Sequence, residues 1–286
     1  MKRIKLLIKY LVGESCFLQQ IFIFLYKFSG KKSWSLGYPV YKSQYIKNVI
    51  QKNLCLFQEC QLPEGYGSGL DERAVEYPWF FAALKDSEKI ILDAGSTLNH
   101  YDILTLPQLQ KRSLYLMTLA PEGEFKLKSK PMYVYGDLRH TNFADGYFDT
   151  IVSISTLEHI GMDNTFLYTN DPAKRENSRF AYLEAVRELK RVLKPGGTLY
   201  ATMPFGKHEN YGWFQVFDGN MVDRLIAEFA PKEVSQTYFR YHDCQWEFAD
   251  RSACSQGVYF DIHNKKTIHR DYLAASESVV CLQLTK

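Results

Sequence analysis

The sequence predicts an α/β protein built on a mostly parallel sheet with helices on both faces. Three observations carry this. Strand-like runs at Ser113–Thr118, Met132–Tyr135, 150–155 and 198–203 are separated by loops or helical segments, and such alternation implies parallel strands joined by covering helices. Residues 176–193 have helical spacing, with Ala181, Leu183, Ala185, Val186, Leu189 and Val192 able to share one face and Glu184, Arg187, Glu188 and Lys190 the other. Residues 89–100 run from an apolar segment into Asp93-Ala94-Gly95, where a buried strand ends and its backbone can meet a ligand.

The remaining elements follow in order. Residues 71–84 are helical in composition and lead into the first strand; Lys194-Pro195-Gly196-Gly197 stops the long helix and reverses the chain. A helix at 220–229 and strands at 234–241 and 278–284 complete the sheet. Ligands of such sheets sit at the carboxyl ends of the strands, so the loops after Leu92, Met117, Tyr135 and Ser155 converge.

Hydrophobic residues at 46% and aromatics at 15% suffice for a sizeable core. A net charge of +3, from 35 basic and 32 acidic residues, gives no argument for a nucleic-acid partner. Cys16, Cys55, Cys60, Cys244, Cys254 and Cys281 show no paired spacing, so reduced thiols in a cytoplasmic protein are expected. His242, Cys244, Cys254 and His263 are metal-ligand types, but their spacing matches no common zinc finger and no metal is expected.

Residues 1–70 read as an N-terminal helical extension and linker, and 71–286 as the main domain. Lys2, Arg3, Lys5 and Lys9 precede an apolar stretch closed by Lys27, Lys31 and Lys32. Glu14, Gln19 and Gln20 interrupt the stretch, and it falls short of the roughly 20 residues a spanning helix needs. The expectation is a helix at the inner membrane surface, its ends attracted to anionic lipid, against the alternative of a helix packed on the protein's own core. Residues 33–69 lack clear periodicity, and Gly65-Tyr66-Gly67-Ser68-Gly69 reads as a flexible linker.

Four stretches in order, Leu92-Asp93-Ala94-Gly95, Gly136-Asp137-Leu138-Arg139, residues 148–161 around Ser155-Thr156-Leu157-Glu158-His159, and Arg191-Val192-Leu193-Lys194-Pro195-Gly196-Gly197, resemble the ordered motifs of class I S-adenosylmethionine-dependent methyltransferases. Within that family the likeness is to enzymes of bacterial polysaccharide and glycolipid assembly. The resemblance implies a Rossmann-like seven-stranded sheet and S-adenosyl-L-methionine as cofactor. It assigns Asp93 and Gly95 to the methionine moiety, Thr118 to the position that usually grips ribose, and Asp137 and Leu138 to adenine, with Ser96 and Ser155 also among the residues expected to face the cofactor.

Two departures stand out. The family's glycine-rich loop becomes Gly95-Ser96-Thr97-Leu98-Asn99, and the acid usual after the second strand becomes Thr118, with Glu122 as a substitute from the following turn. Loss of that charge-assisted hydrogen bond weakens cofactor binding by about tenfold to a hundredfold.

Methyl transfer from a sulfonium is an in-line displacement, so positioning does much of the work and a base removes the acceptor's proton. His159 is the candidate base and Glu158 its orienting or cofactor-holding neighbour. After the fifth strand, His208, Tyr211, Trp213 and Gln215 mix aromatic faces with polar groups suited to a sugar. The expected activity is O-methylation of a saccharide or related small acceptor. The alternative is a catalytically silent methyltransferase-like binding or scaffold protein. A nicotinamide-dependent oxidoreductase is disfavoured, because the Gly-x-Gly-x-x-Gly phosphate loop is missing. Oligomeric state is not legible.

Overall fold

The computed structural model describes residues 16–121, 131–169, 171–262, 265–269, 271, 273 and 275–286. Lys2, Arg3, Lys5, Lys9, Glu14, Glu122 and His263, which carry parts of the sequence argument, lie outside the described residues.

The sheet is formed by β1 (Ile90–Ala94), β2 (Ser113–Thr118), β3 (Met132–Tyr135), β4 (Phe148–Ile154), β5 (Leu193–Pro204), β6 (Glu233–His242), β7 (Gln245–Ala249) and β8 (Ser278–Thr285), in the order β3-β2-β1-β4-β5-β8-β6-β7. β3 to β5 pair in parallel; β8, β6 and β7 are antiparallel. The expected seven strands are therefore eight. The extra one, β7, returns from β6 through a two-residue turn in which Asp243 and Cys244 have φ of 47° and 61°, the doubly left-handed geometry whose twist matches a β-hairpin.

Alternate residues of each strand point to opposite faces, and both faces are buried. Ile91, Leu116, Val152 and Tyr200 join one apolar cluster, while Leu92, Ala94, Ile151 and Leu199 join the other. The second cluster is roofed by Tyr182–Val192 and Gly219–Phe229. In the former, Ala185, Val186, Leu189 and Val192 are buried as the spacing predicts, but Tyr182 rather than Leu183 completes the buried face. This helix starts six residues later than expected because Glu176 is drawn into an ion pair with Arg139 and Ser178 donates to the Gly161 carbonyl.

On the first face the N-terminal part of the chain does the covering. We label its helices α1 (Cys16–Phe28), α2 (Tyr38–Lys52) and α3 (Arg73–Ala83). Tyr38, Ile46, Val49 and Ile50 of α2 share the cluster with Val75, Phe80 and the sheet, so a segment without evident periodicity is helical and buried. The glycine run expected to be flexible is pinned: Gly67 N donates to the Tyr45 hydroxyl and Gly69 N to that of Tyr241, both at 2.9 Å, and Trp246 N donates to the Tyr66 carbonyl at 2.9 Å. A side chain at Gly67 would meet the Trp246 ring at 2.8 Å, and φ is 63°. Among the described residues no helix is long and apolar enough to cross a membrane.

Candidate active site

The carboxyl end of β4 breaks into a sharp turn where Ser155 has φ of 39°, followed by one 3-10 turn, Leu157–His159. That turn and the middle of α3 meet around a buried ionic group. Glu76, 0% exposed, accepts from Ser155 Oγ at 2.7 Å and Thr202 Oγ1 at 2.6 Å through one oxygen, and from the Arg73 guanidinium through the other. It therefore ties α3 to the ends of β4 and β5. Ser155, expected to face cofactor, has its hydroxyl committed to this carboxylate.

Acid exceeds base here. Glu72 and Glu158 are buried beside Arg73, and each leaves its Oε2 without a hydrogen-bond partner among the described residues. Burial pushes the Glu72 carboxyl up to about 7 against the pull of Arg73. Burial likewise holds the Glu158 carboxyl well above the usual range, and neighbouring Glu76 and Glu72 push the same way. A carboxyl raised in the folded state contributes stability that is complete below its unfolded pKa and is lost as pH rises toward the folded value. Glu158→Gln is accordingly expected to leave thermal stability unchanged near pH 4 and to raise it by about 1–3 kcal/mol at pH 8, where an unpartnered buried carboxylate is most costly. Melting curves of both proteins across this range check it; equal curves at pH 8 would refute the assignment.

His159 sits against Trp213, with ring centroids 4.8 Å apart, and its Nδ1 lies 2.9 Å from the Trp213 carbonyl oxygen. A carbonyl only accepts, so Nδ1 carries the proton and Nε2 presents its lone pair. Nε2 has no hydrogen-bond partner among the described residues. Burial lowers the imidazole to about 4, and the charge of Arg73 acts in the same direction.

The loop after β5 supplies the remaining wall. Gln215, fully buried, donates from its backbone N to the Glu158 carbonyl at 3.1 Å and from Nε2 to the Arg179 carbonyl at 2.9 Å. Tyr211 stacks on Phe214 at 4.6 Å, with Tyr259 4.7 Å from Phe214. His208 is held by the Val216 carbonyl, 2.9 Å from Nδ1. The sequence thus locates His159, Glu158, Trp213 and Gln215 in one place, and misses Glu72, Arg73, Glu76, Thr202 and Tyr259.

The 89–100 stretch is braced from within. Asp93, fully buried, accepts from Leu98 N at 2.7 Å and Thr97 Oγ1 at 3.2 Å, and Tyr77 donates to the Thr97 carbonyl at 2.5 Å. A Cβ on Gly95 would lie 2.0 Å from Thr156 Oγ1, at φ of 119°. Glycine is thus needed at the β1 end to admit Thr156; Ser96 follows it in the left-handed region at φ of 60°. Thr118 accepts at its carbonyl from Gly136 N at 3.0 Å. Asp137 forms a two-pronged pair with Arg139, at 3.0 and 2.6 Å, and Arg139 reaches on to Glu176. Burial raises Asp137, but the hydrogen bonds and charge of Arg139 outweigh it and hold the carboxyl below the usual range. Leu138 is buried beneath.

A groove of about 490 Å³ runs between Leu119, Ala120 and Pro121 after β2 and Phe166 to Thr169. Phe166, which lines the groove, lies 6.0 Å from the Trp213 ring, and Trp213 in turn packs on His159.

The sheet order and this convergence at the strand ends define a methyltransferase-type α/β fold. Residues 113–201, about a third of the chain, match the family model described as a methyltransferase domain. No curated protein matches the chain at the sequence level. Solved structures similar to it include a [4+2]-cyclase (15% identity, 52% of this chain and 53% of that one, TM-score 0.36). Others are the 1,6-didemethyltoxoflavin N1-methyltransferase of Burkholderia thailandensis (12%, 70% and 72%, 0.41) and an S-adenosylmethionine-dependent methyltransferase of Thermotoga maritima (11%, 85% and 92%, 0.40). The chain spans about half the length of the cyclase. Similarities at this level assign no residue and no substrate.

Proposed function

We propose that the protein is an S-adenosylmethionine-dependent methyltransferase that methylates a hydroxyl of a saccharide or related small polar acceptor, with His159 as base. The observation that carries this reading is the fixed tautomer of His159, whose Nε2 is open and unprotonated at neutral pH.

The residues fit the cofactor. S-adenosylmethionine bears a sulfonium and an ammonium; the Glu72 and Glu158 carboxyls beside Arg73 each leave an oxygen without a hydrogen-bond partner among the described residues, and a bound cation would draw these raised carboxyls toward their ionised form. The groove beside Leu119 and Pro121 offers room for a flat base, with Asp137 and Leu138 following the adjacent β3. The cofactor supplies an electrophilic methyl group when bound. This chain's residues do the rest: His159 Nε2 takes the acceptor's proton, and the half-buried Trp213 and Tyr211 offer ring surface to a sugar.

Calorimetry with S-adenosylhomocysteine tests the cofactor half directly. Binding is expected, and Asp137→Asn is expected to weaken it by about tenfold to a hundredfold, the worth of one hydrogen bond to a charged group. Absence of binding at millimolar ligand would favour a catalytically silent protein, a reading to which the self-braced 95–99 loop lends support.

A further inference from the structure

We propose that α1 is a membrane-surface element whose outward face rests on an anionic lipid bilayer. Phe17, Ile21, Phe24 and Phe28 are 75%, 40%, 66% and 83% exposed. Their spacing of four, three and four residues puts them on one stripe of the helix. The opposite side is occupied: Ile23 and Tyr26 are buried, and the Tyr26 hydroxyl donates to the Lys31 carbonyl at 2.9 Å. The helix is therefore apolar on both sides but covered on one. Beyond its end, Trp34 and Leu36 extend the exposed apolar surface. Scattered apolar side chains are ordinary, but a contiguous aromatic stripe marks an interaction surface.

Charge identifies the occupant. Residues 1–36 contain seven basic side chains and one acidic, a net of +6 in a chain whose total is only +3, so the other 250 residues are net negative. Lys27, Lys31 and Lys32 lie at the C-terminal end of the stripe, all exposed. A second copy docked through the same face would place two such basic segments side by side, whereas an anionic lipid surface attracts both. At 13 residues α1 is about 20 Å long, enough to lie in the interface though not to span it.

Sedimentation of the full chain with vesicles is the test. Vesicles of phosphatidylcholine with about a third phosphatidylglycerol are expected to retain it, phosphatidylcholine alone to retain far less, and raised salt to release it. The triple variant Phe17→Ser/Phe24→Ser/Phe28→Ser should lose at least ~tenfold in partitioning while keeping its circular dichroism, since these rings lie outside the core. Trp34 fluorescence should shift blue on binding only in the unmodified protein. Failure of the unmodified protein to bind anionic vesicles would overturn the proposal, as would equal binding by the triple variant, which would place the attraction elsewhere in the basic segment. A dimer in solution that the triple variant dissociates would give the face to a second copy instead.

Discussion

Glu76→Ala is expected to lower the unfolding free energy by about 3–5 kcal/mol, the penalty of stranding a buried charge. Glu76 joins three elements: Arg73 on its own helix, Ser155 at the end of β4 and Thr202 on β5 all donate to it. Its removal leaves the Arg73 guanidinium with Glu72 at 4.0 Å and strips two hydroxyls of their acceptor. At roughly 2–4 °C per kcal/mol for a chain somewhat shorter than this one, the melting temperature should fall by about 6–20 °C. Glu76→Gln keeps an acceptor for the hydroxyls and should lose less, about 1–3 kcal/mol. A calorimetric scan in which Glu76→Ala melts within a degree of the unmodified protein would show that the ionic group is not structural.

The same residues explain what the sequence conceals. Asp71-Glu72-Arg73 and Glu76 lie at i, i+3 and i+4 spacings that ordinarily belong to a solvated helix face. Here α3 is buried from Ala74 to Phe81 because α2 covers it, and the tertiary setting reverses the usual reading. α2 itself hides for a related reason. Its buried positions, Tyr38, Ile46, Val49 and Ile50, do keep helical spacing, but half-buried Tyr41 and Tyr45 blur the boundary between its faces.

By contrast, β2 and β3 are legible to the residue, since a short apolar run bounded by polar or turn residues has few other readings. β7 escapes because its turn is Asp243-Cys244 rather than the Asp-Gly that signals a hairpin. In the site, His159 and Glu158 are legible because they follow a strand end where ligands gather. Their protonation states are not, because both are set by burial contributed from α3 and the 204–217 loop, far away in sequence.

His159→Ala is the substitution expected to cost most in activity. A positioned base contributes about a hundredfold to ten-thousandfold, and transfer to a hydroxyl acceptor should fall by that amount while S-adenosylhomocysteine affinity stays within about twofold. The pH dependence distinguishes a base from a packing residue. Burial disfavours the imidazolium, so the folded-state value is lowered from 6.5 to about 4. His159 is then neutral throughout the range in which an exposed histidine would gain its proton. The histidine itself should impose no loss of activity as pH falls from 8 to 5.5, where Glu72, raised to about 7, is the group that titrates, and its own protonation should lower activity only as about 4 is approached. Stability runs in the same sense. Between those two values the unfolded chain binds a proton that the folded chain refuses, so the histidine's contribution is complete above 6.5 and is lost as pH falls toward 4. His159→Gln retains a donor for the Trp213 carbonyl but supplies no base. If this variant kept the activity of the unmodified protein, the ring would be serving only to hold the 204–217 loop, and the proton would have to leave by another group.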